Sequence, residues 1–422
     1  MGSPSFFMAL RYLWGGTRPA REGGRYLRGA AAGIALSLVP IVVTLIVADG
    51  MIRGITDRYL ELGTGHLEIY DYAGSGEFLP SVRDDVLALP GVRGAWRERQ
   101  GLGIILGPGG RTGAAVRAVE KGFLDDPGSA AFLTVTAGSA GLEKGEALLG
   151  QGLAETLGAG PGSPVRLMTA RTAPDGRTIP RLTVFTVKGI VSSGYRELDA
   201  LWCLVDYDAA LDLLSPELYR TFLVVKVDDP YGGAERAAEE AAALAGPDYA
   251  VYTWKELQQS LFRSFESTRQ MLLFIMALLV LVAAVNVSSA TSMLVIDRRR
   301  DIAVLKTGGA GPRFIRGIFL RGAFLTGLAG SAAGIGAGLA IGGAINPIIR
   351  GLEKALSFAG SPWGAEVTIL DPGYYLETIP VVIDGGMIAL IGLFTLLCSC
   401  LASYIPARRA GKLRPLEILR RV

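Results

Sequence analysis

The chain has 422 residues; half are hydrophobic, 19% are charged, the formal net charge is +3 and the mean hydropathy is +0.38. That much apolar surface excludes disorder, and three cysteines (Cys203, Cys398, Cys400) exclude a disulfide scaffold. His66 is the only histidine, so a two-imidazole metal site has no material, while 57 glycines without a collagen-like period suit closely packed membrane helices.

Residues 29–48 form an uncharged apolar run, as long as a ~30 Å hydrocarbon core requires. The run is too long for a signal-peptide core and no small-x-small cleavage site follows it, so it reads as a retained anchor. Three more such runs lie at 271–296, 322–349 and 385–407. Segments 1–28, 297–321 and 408–422 together hold 18 Lys or Arg against four acids, a balance of +14, leaving −11 for the rest of a +3 chain. The positive-inside rule then places both termini and the 297–321 loop in the cytoplasm, with 49–270 and 350–384 outside. The expected architecture is an α-helical membrane protein with four transmembrane helices, one plus three, and a large α+β periplasmic domain between the first and second.

Within residues 49–270, alternating or β-branched patterns predict strands at 66–70, 103–106, 116–119, 165–168, 182–191 and 222–227. Helices are predicted at 82–88, 146–157, 209–214 and 234–245, the last closed by Gly246-Pro247. Pro40 is expected to interrupt one backbone hydrogen bond in the first span. Gly330, Gly334, Gly338 and Gly342 recur every four residues in the third, a tandem pattern for close helix approach. No phosphate-binding GxxxxGK[ST] loop, HExxH, GxSxG or CxxC occurs, so the chain has no ATPase site and no recognised catalytic or redox motif of its own. Cys398 and Cys400 are expected to pack, Cys203 to be buried and His66 to be structural.

The 297–321 loop contains Ile302, Val304 and Leu305 on one face of a short charged helix that Gly308-Gly309 would end. By composition alone it docks into another protein or lies on anionic lipid. Asp301, Ile302, Ala303, Val304, Leu305, Lys306 and Thr307, followed by Gly309 and Ala310, resemble the coupling-helix loop of ABC-transporter permeases of the FtsX/MacB/LolC-LolE superfamily. Asp301 stands where that family has Glu, and Gly308 replaces a large apolar residue. The tail from Tyr404 to Ala410 and from Arg414 to Arg420 is similar to the family's ending. Segments Tyr375–Leu376, Ile379–Val381 with Asp384, Val187–Ile190, Ser193–Tyr195, Glu197–Asp199 and Asn286–Ser289 resemble the lipoprotein-releasing LolC/LolE branch.

That resemblance implies an ATPase contact at Asp301, Ile302, Val304, Leu305, Lys306, Thr307, Gly309 and Ala310. It implies a lipid-anchor cavity at Val39, Val43, Ile46, Met271, Phe274 and Leu278, residues equally placed to face lipid. Pro174, Pro180 and Arg181 match a hook that engages a periplasmic lipoprotein carrier, although Pro174-Asp175-Gly176 is also an ordinary turn signal. The implied function is that of a permease subunit releasing lipoproteins from the bacterial inner membrane. Its implied partners are a cytoplasmic ATPase dimer that holds ATP and Mg, a second permease subunit, the lipoprotein, the carrier and membrane lipid. The alternatives are an FtsX-like or MacB-like permease acting on a cell-wall hydrolase or an exported peptide, and a membrane-anchored scaffold without an ATPase.

Overall fold

The structure, a computed structural model, describes residues 18–71, 80–172, 177–210, 214, 219–360, 376 and 378–414. Helix α1 (Arg18–Arg58) runs without a break through Pro40 into a π-helical turn, Tyr59–Gly63, and strand β1 (Leu67–Asp71). There follow α2 (Pro80–Leu87), β2 (Val92–Gly107), β3 (Gly110–Val119), α3 (Pro127–Phe132), β4 (Thr134–Gly138), β5 (Glu146–Gly150) and α4 (Gln151–Leu157). Next come β6 (Pro164–Thr172), β7 (Thr178–Ser192), β8 (Trp202–Asp206), β9 (Arg220–Val227), α5 (Ala234–Ala245) and β10 (Tyr249–Thr253). The chain ends with α6 (Gln259–Asp297), α7 (Arg299–Thr307), α8 (Pro312–Gly343), α9 (Ile345–Gly360) and α10 (Gly385–Lys412). Two compact units result, one of residues 1–50, 265–351 and 380–422, the other of 51–264 and 352–379.

The second unit is built on a ten-stranded sheet in the order β10-β1-β9-β2-β3-β8-β5-β7-β4, with β6 bridging β2 and β7. Pairs β3–β8 and β5–β7 are parallel and the others antiparallel. The strand that follows α1 and the strand that precedes α6 are neighbours, with Leu67 opposite Thr253. Leu153 and Leu157 of α4 bury against Val116, Val165, Phe185 and Cys203. Val86 of α2 and Ala241 of α5 cover Leu67, Ile69, Leu223 and Val225. Each covering helix thus hides an apolar stripe that would otherwise face water.

The sequence pattern is overturned at Glu146–Leu157, predicted as one helix. Glu146–Gly150 is instead strand β5, paired with both β7 and β8, and the helix starts at Gln151. The Ala-Leu-Leu run favours a helix locally, but burial between two strands outweighs a propensity of a few tenths of a kcal/mol per residue. A Cβ on Gly150 would lie 2.2 Å from the Asp199 carbonyl oxygen, so the strand-to-helix corner leaves no room for a side chain there. Of the helix predicted at 209–214, a helical turn forms at Tyr207–Ala210, and 211–213 lie outside the described residues. Strands β4, β8 and β10 and the first half of β2 had not been predicted.

In the first unit, α1, α6, α8 and α10 are long and apolar enough to cross a membrane. Helices α1 and α6 have 41 and 39 residues and enclose the runs 29–48 and 271–296. The run 322–349 is divided, because α8 closes at Ala344 (φ −100°, ψ 17°) and Ile345 begins α9. One apolar cluster joins Ile34, Leu38, Ile41 and Leu45 of α1 to Met276, Val280, Ala283 and Val287 of α6. Thr291 of α6 and Ser403 of α10 share a buried hydrogen bond of 3.1 Å. Gly330, Gly334, Gly338 and Gly342 lie against α1: Cβ atoms built on them would come within 2.6–2.8 Å of Ala31 O, Ala35 O, Val42 or Ile46. The four-residue spacing therefore lets two backbones approach where any side chain would hold them apart.

Candidate functional site

Helix α7 has two faces. Ile302 and Ala303 are buried, and Ile302 lies in a cluster with Leu27, Leu294, Ile315, Phe319, Ala407 and Ala410, against which Leu305 and Ala310 pack. That cluster draws residues from α1, α6, α8 and α10 together with those of this short helix. On the outer face Asp301, Val304, Thr307 and Gly309 are exposed, Val304 at 63%. Asp301 pairs with Arg298 at 3.1 Å, and the Thr307 hydroxyl donates to Val304 O at 2.8 Å.

The end of α7 follows from its glycines. The N–H of Ala310 donates to Leu305 O (3.0 Å) and that of Gly309 to Lys306 O (3.1 Å), the paired bonds of a Schellman cap. Gly309 has φ +92°, a conformation that costs an L-residue about 1 kcal/mol or more. Leu305 and Ala310 supply the apolar contact that accompanies such a cap. Lys306 lies apart from the outer face: its Nζ donates to Gly411 O at 2.7 Å, in the last turn of α10, and to the O of its C-cap residue Leu413 at 2.6 Å.

A second constellation, absent from the sequence reading, ties the end of α1 to the sheet. Lys226 of β9 is fully buried; its Nζ donates to Asp126 Oδ2 (2.8 Å) and Ser129 Oγ (2.6 Å) and pairs with Glu61 Oε2 (3.0 Å). Arg93 reaches the same two carboxylates, at 2.9 and 3.3 Å. Burial alone would raise the Glu61 carboxyl, but the His66 imidazole, 3.3 Å away, and the Lys226 ammonium lower it to about 2. His66 Nδ1 accepts the Val227 N–H at 2.8 Å, which fixes its ring in the wall of this joint. Arg117 grips Glu98 through two bonds of 2.6 and 2.8 Å and also donates to the carbonyls of Leu62 and Gly63 in the π turn. The signal for these residues was a single Lys in the apolar run 222–227 and a single Arg in the run 114–119.

Glu68 lies in the same region with its carboxyl pushed up to about 8, first by burial and further by Glu98, against the lowering effects of Tyr70 and Arg117. A carboxyl raised on folding stabilises fully below its unfolded value near 4.5, and that contribution is lost as pH rises through about 8. Thermal midpoints of the Glu68→Gln variant between pH 5 and 8.5 are therefore expected to vary less than those of the parent. An equal pH slope in both would contradict this assignment.

At the other end of the bundle Arg269 of α6 pairs with Asp49 of α1 (3.0 Å) and lies 3.6 Å from Asp384, which caps α10 by accepting from Gly386 N and Met387 N. The six residues assigned to a lipid-anchor cavity differ in burial. Ile46 is buried against Gly342 of α8, and Val39 and Val43 are half-buried. Met271, Phe274 and Leu278 are exposed on the side of α6 away from Met276 and Val280, which pack in the α1 cluster. Seven residues separate Met271 from Leu278, so these three share one helical face, and that face is turned outward. Pro180 is exposed and Arg181 half-buried on β7, opposite Ala170 and Thr169 of β6, so both stand on the stem of the predicted hook. Pro174 lies outside the described residues. Cys203 is buried, which pushes its thiol up to about 12 and leaves it unreactive.

Two families match this arrangement: the MacB-like periplasmic core domain over residues 29–244 and the FtsX-like permease C-terminal domain over residues 273–415. The chain belongs to the FtsX/MacB family of ABC-transporter permeases and is a membrane protein. Among its relatives is the lipoprotein-releasing system transmembrane protein LolC of Neisseria meningitidis serogroup B. It is 32% identical over 276 residues, covering 65% of this chain and 64% of that protein. LolC of Xylella fastidiosa is 28% identical over 426 residues, 99% of this chain and 98% of that one. LolE of Haemophilus influenzae is 24% identical over 435 residues, 99% of each.

Proposed function

We propose that this chain is the permease subunit of an ATP-driven transporter that releases lipoproteins from the inner membrane to a periplasmic carrier. The observation that carries this reading is the two-faced helix α7. Its exposed Val304 and Asp301 offer a docking surface, while its buried Ile302 belongs to one apolar cluster with residues of all four spans. A helix serving only as a membrane-surface anchor would turn its apolar face to lipid, whereas Ile302 is committed to the bundle. In this reading both termini and α7 are cytoplasmic and the sheet domain is periplasmic. ATP and Mg are held by a separate ATPase dimer, and a second permease subunit, identical or paralogous, completes the transporter.

Lifting an acyl chain into water costs ~0.8 kcal/mol per CH₂, so repeated release needs an energy source that a passive receptor lacks. Closure of the ATPase dimer would press on α7, and the bundle would pass that displacement to the ends of the spans. Near-full-length similarity to LolC and LolE supports lipoproteins as the cargo. The decisive experiment is purification of the tagged chain from native membranes in mild detergent, with mass spectrometry of retained proteins. An ATPase recovered together with acylated lipoproteins is the expected result. Recovery of an ATPase with a cell-wall hydrolase would move the chain to an FtsX-like role, and recovery of no ATPase would defeat the permease reading.

A further inference from the structure

We propose that Lys306 is a positioning residue that delivers the motion of α7 to the fourth span, and that it makes no contact with the ATPase. This inference rests on the transporter reading above and concerns how the same site works. The Lys306 side chain is half-buried and turned toward the bundle, and its ammonium donates to the carbonyls of Gly411 and Leu413 at 2.7 and 2.6 Å. These carbonyls lie at the end of α10, where a helix has unsatisfied acceptors and the negative pole of its dipole. A cation that bonds two of them at once fixes its own backbone relative to that helix end.

The surrounding packing makes this a stiff joint. A Cβ added to Gly411 would lie 2.8 Å from the carbonyl oxygen of Pro312, so the last turn of α10 rests directly on the first residue of α8. Ala407 and Ala410 are fully buried in the cluster that includes Ile302 and Ile315. Lys306 thus joins α7 to a block that already contains the ends of α8 and α10. A push on the exposed face, at Asp301, Val304 and Thr307, is received through one set of residues and passed on through another. Apolar packing alone can slide, because it has no direction; the two charge-assisted hydrogen bonds fix distance and angle.

The test uses the detergent-solubilised complex, reconstituted with its lipoprotein cargo, and compares Lys306→Met, Lys306→Arg and Val304→Asp. The methionine variant is expected to retain the ATPase at the parent's level while lipoprotein released per ATP hydrolysed falls tenfold or more. The arginine variant, which can also donate to two carbonyls, is expected to recover at least half of the lost coupling. Val304→Asp is expected to lose the ATPase itself. Should the methionine variant be degraded in cells, Lys306→Gln carries the same comparison. Loss of the ATPase from Lys306→Met, or release per ATP equal to the parent's, would overturn the assignment. Absence of any ATPase from the unsubstituted complex would instead defeat the transporter reading, and this assignment with it.

Discussion

Replacing Lys226 with methionine is expected to destabilise the sheet domain by ~3–5 kcal/mol, the usual cost of removing one partner from a buried ion pair. The ammonium sits among Glu61, Asp126 and Ser129, with the Phe123 ring centre 4.9 Å away. Its removal leaves the half-buried Glu61 and the buried Asp126 with Arg93, itself a third exposed, as their one shared cation, beside His66 at Glu61 and two backbone N–H groups at Asp126. The deficit should depend on pH in a defined sense. The lowered Glu61 carboxyl stabilises the fold above its unfolded value near 4.5, and the parent loses that contribution as pH falls toward 2. The variant keeps His66 but lacks the Lys226 ammonium, one of the two groups that lower Glu61, so the gap between the two should be widest near pH 7 and shrink in acid. Thermal unfolding of the full chain in detergent at pH 7 and pH 4 tests both statements. The double variant Glu61→Gln with Lys226→Met should recover part of the loss, since it removes a carboxylate along with its partner; an additive loss would mean that the two residues are uncoupled.

The consequence for function lies in what this joint holds. Glu61 belongs to the π turn that ends α1, and Arg117 donates to the next two carbonyls of that turn. π turns leave backbone groups misaligned with the helical ladder and are frequent at functional sites. Here buried cations from β3 and β9 take up the slack. The end of the helix is thereby fixed to the middle of the sheet, and β1 and β10, the strands next to α1 and α6, are paired along five residues. In the transporter proposed above, weakening the joint at Lys226 should therefore reduce release by more than the fraction of unfolded protein explains.

The four apolar spans and the sheet domain between the first two were legible because uncharged runs of ~20 residues and basic flanks act over long windows. Strand boundaries were harder to read, for reasons visible in particular residues. The charged run Arg97-Glu98-Arg99 carries no strand signal, yet Glu98 and Arg99 are buried in β2 because each has a partner elsewhere in the chain: Arg117 for one, Thr221 and Leu214 O for the other. No local pattern contains those partners. Residues 146–150 were misread for a related reason, since their Ala-Leu-Leu core becomes a strand only because β7 and β8 flank it. In the 297–321 loop the sequence pattern shows a short helix but not which face each residue takes, and Lys306 faces inward because the end of α10, a hundred residues later, supplies its acceptors.

Among the four stacked glycines of α8, Gly334→Leu is expected to be the most disruptive substitution in the bundle. Even a single added Cβ would lie 2.8 Å from Ala35 O and 2.8 Å from Leu38 Cβ, with Ala35 Cα at 2.9 Å. Two of these three atoms belong to the α1 backbone, so no rotamer change relieves the clash and the helices must separate. Overpacking of this kind costs ~1–3 kcal/mol, and leucine should reach the upper part of that range or exceed it. Gly336 supplies the control: it lies on the same helix two residues away, and a Cβ there would meet nothing within 4 Å. Gly336→Leu should therefore leave the thermal midpoint of the detergent-solubilised chain nearly unchanged, while Gly334→Leu lowers it by several degrees. Equal midpoints for the two variants would mean that α1 and α8 are not in backbone contact. A large loss at both would show that the volume of leucine, rather than its position, decides the outcome.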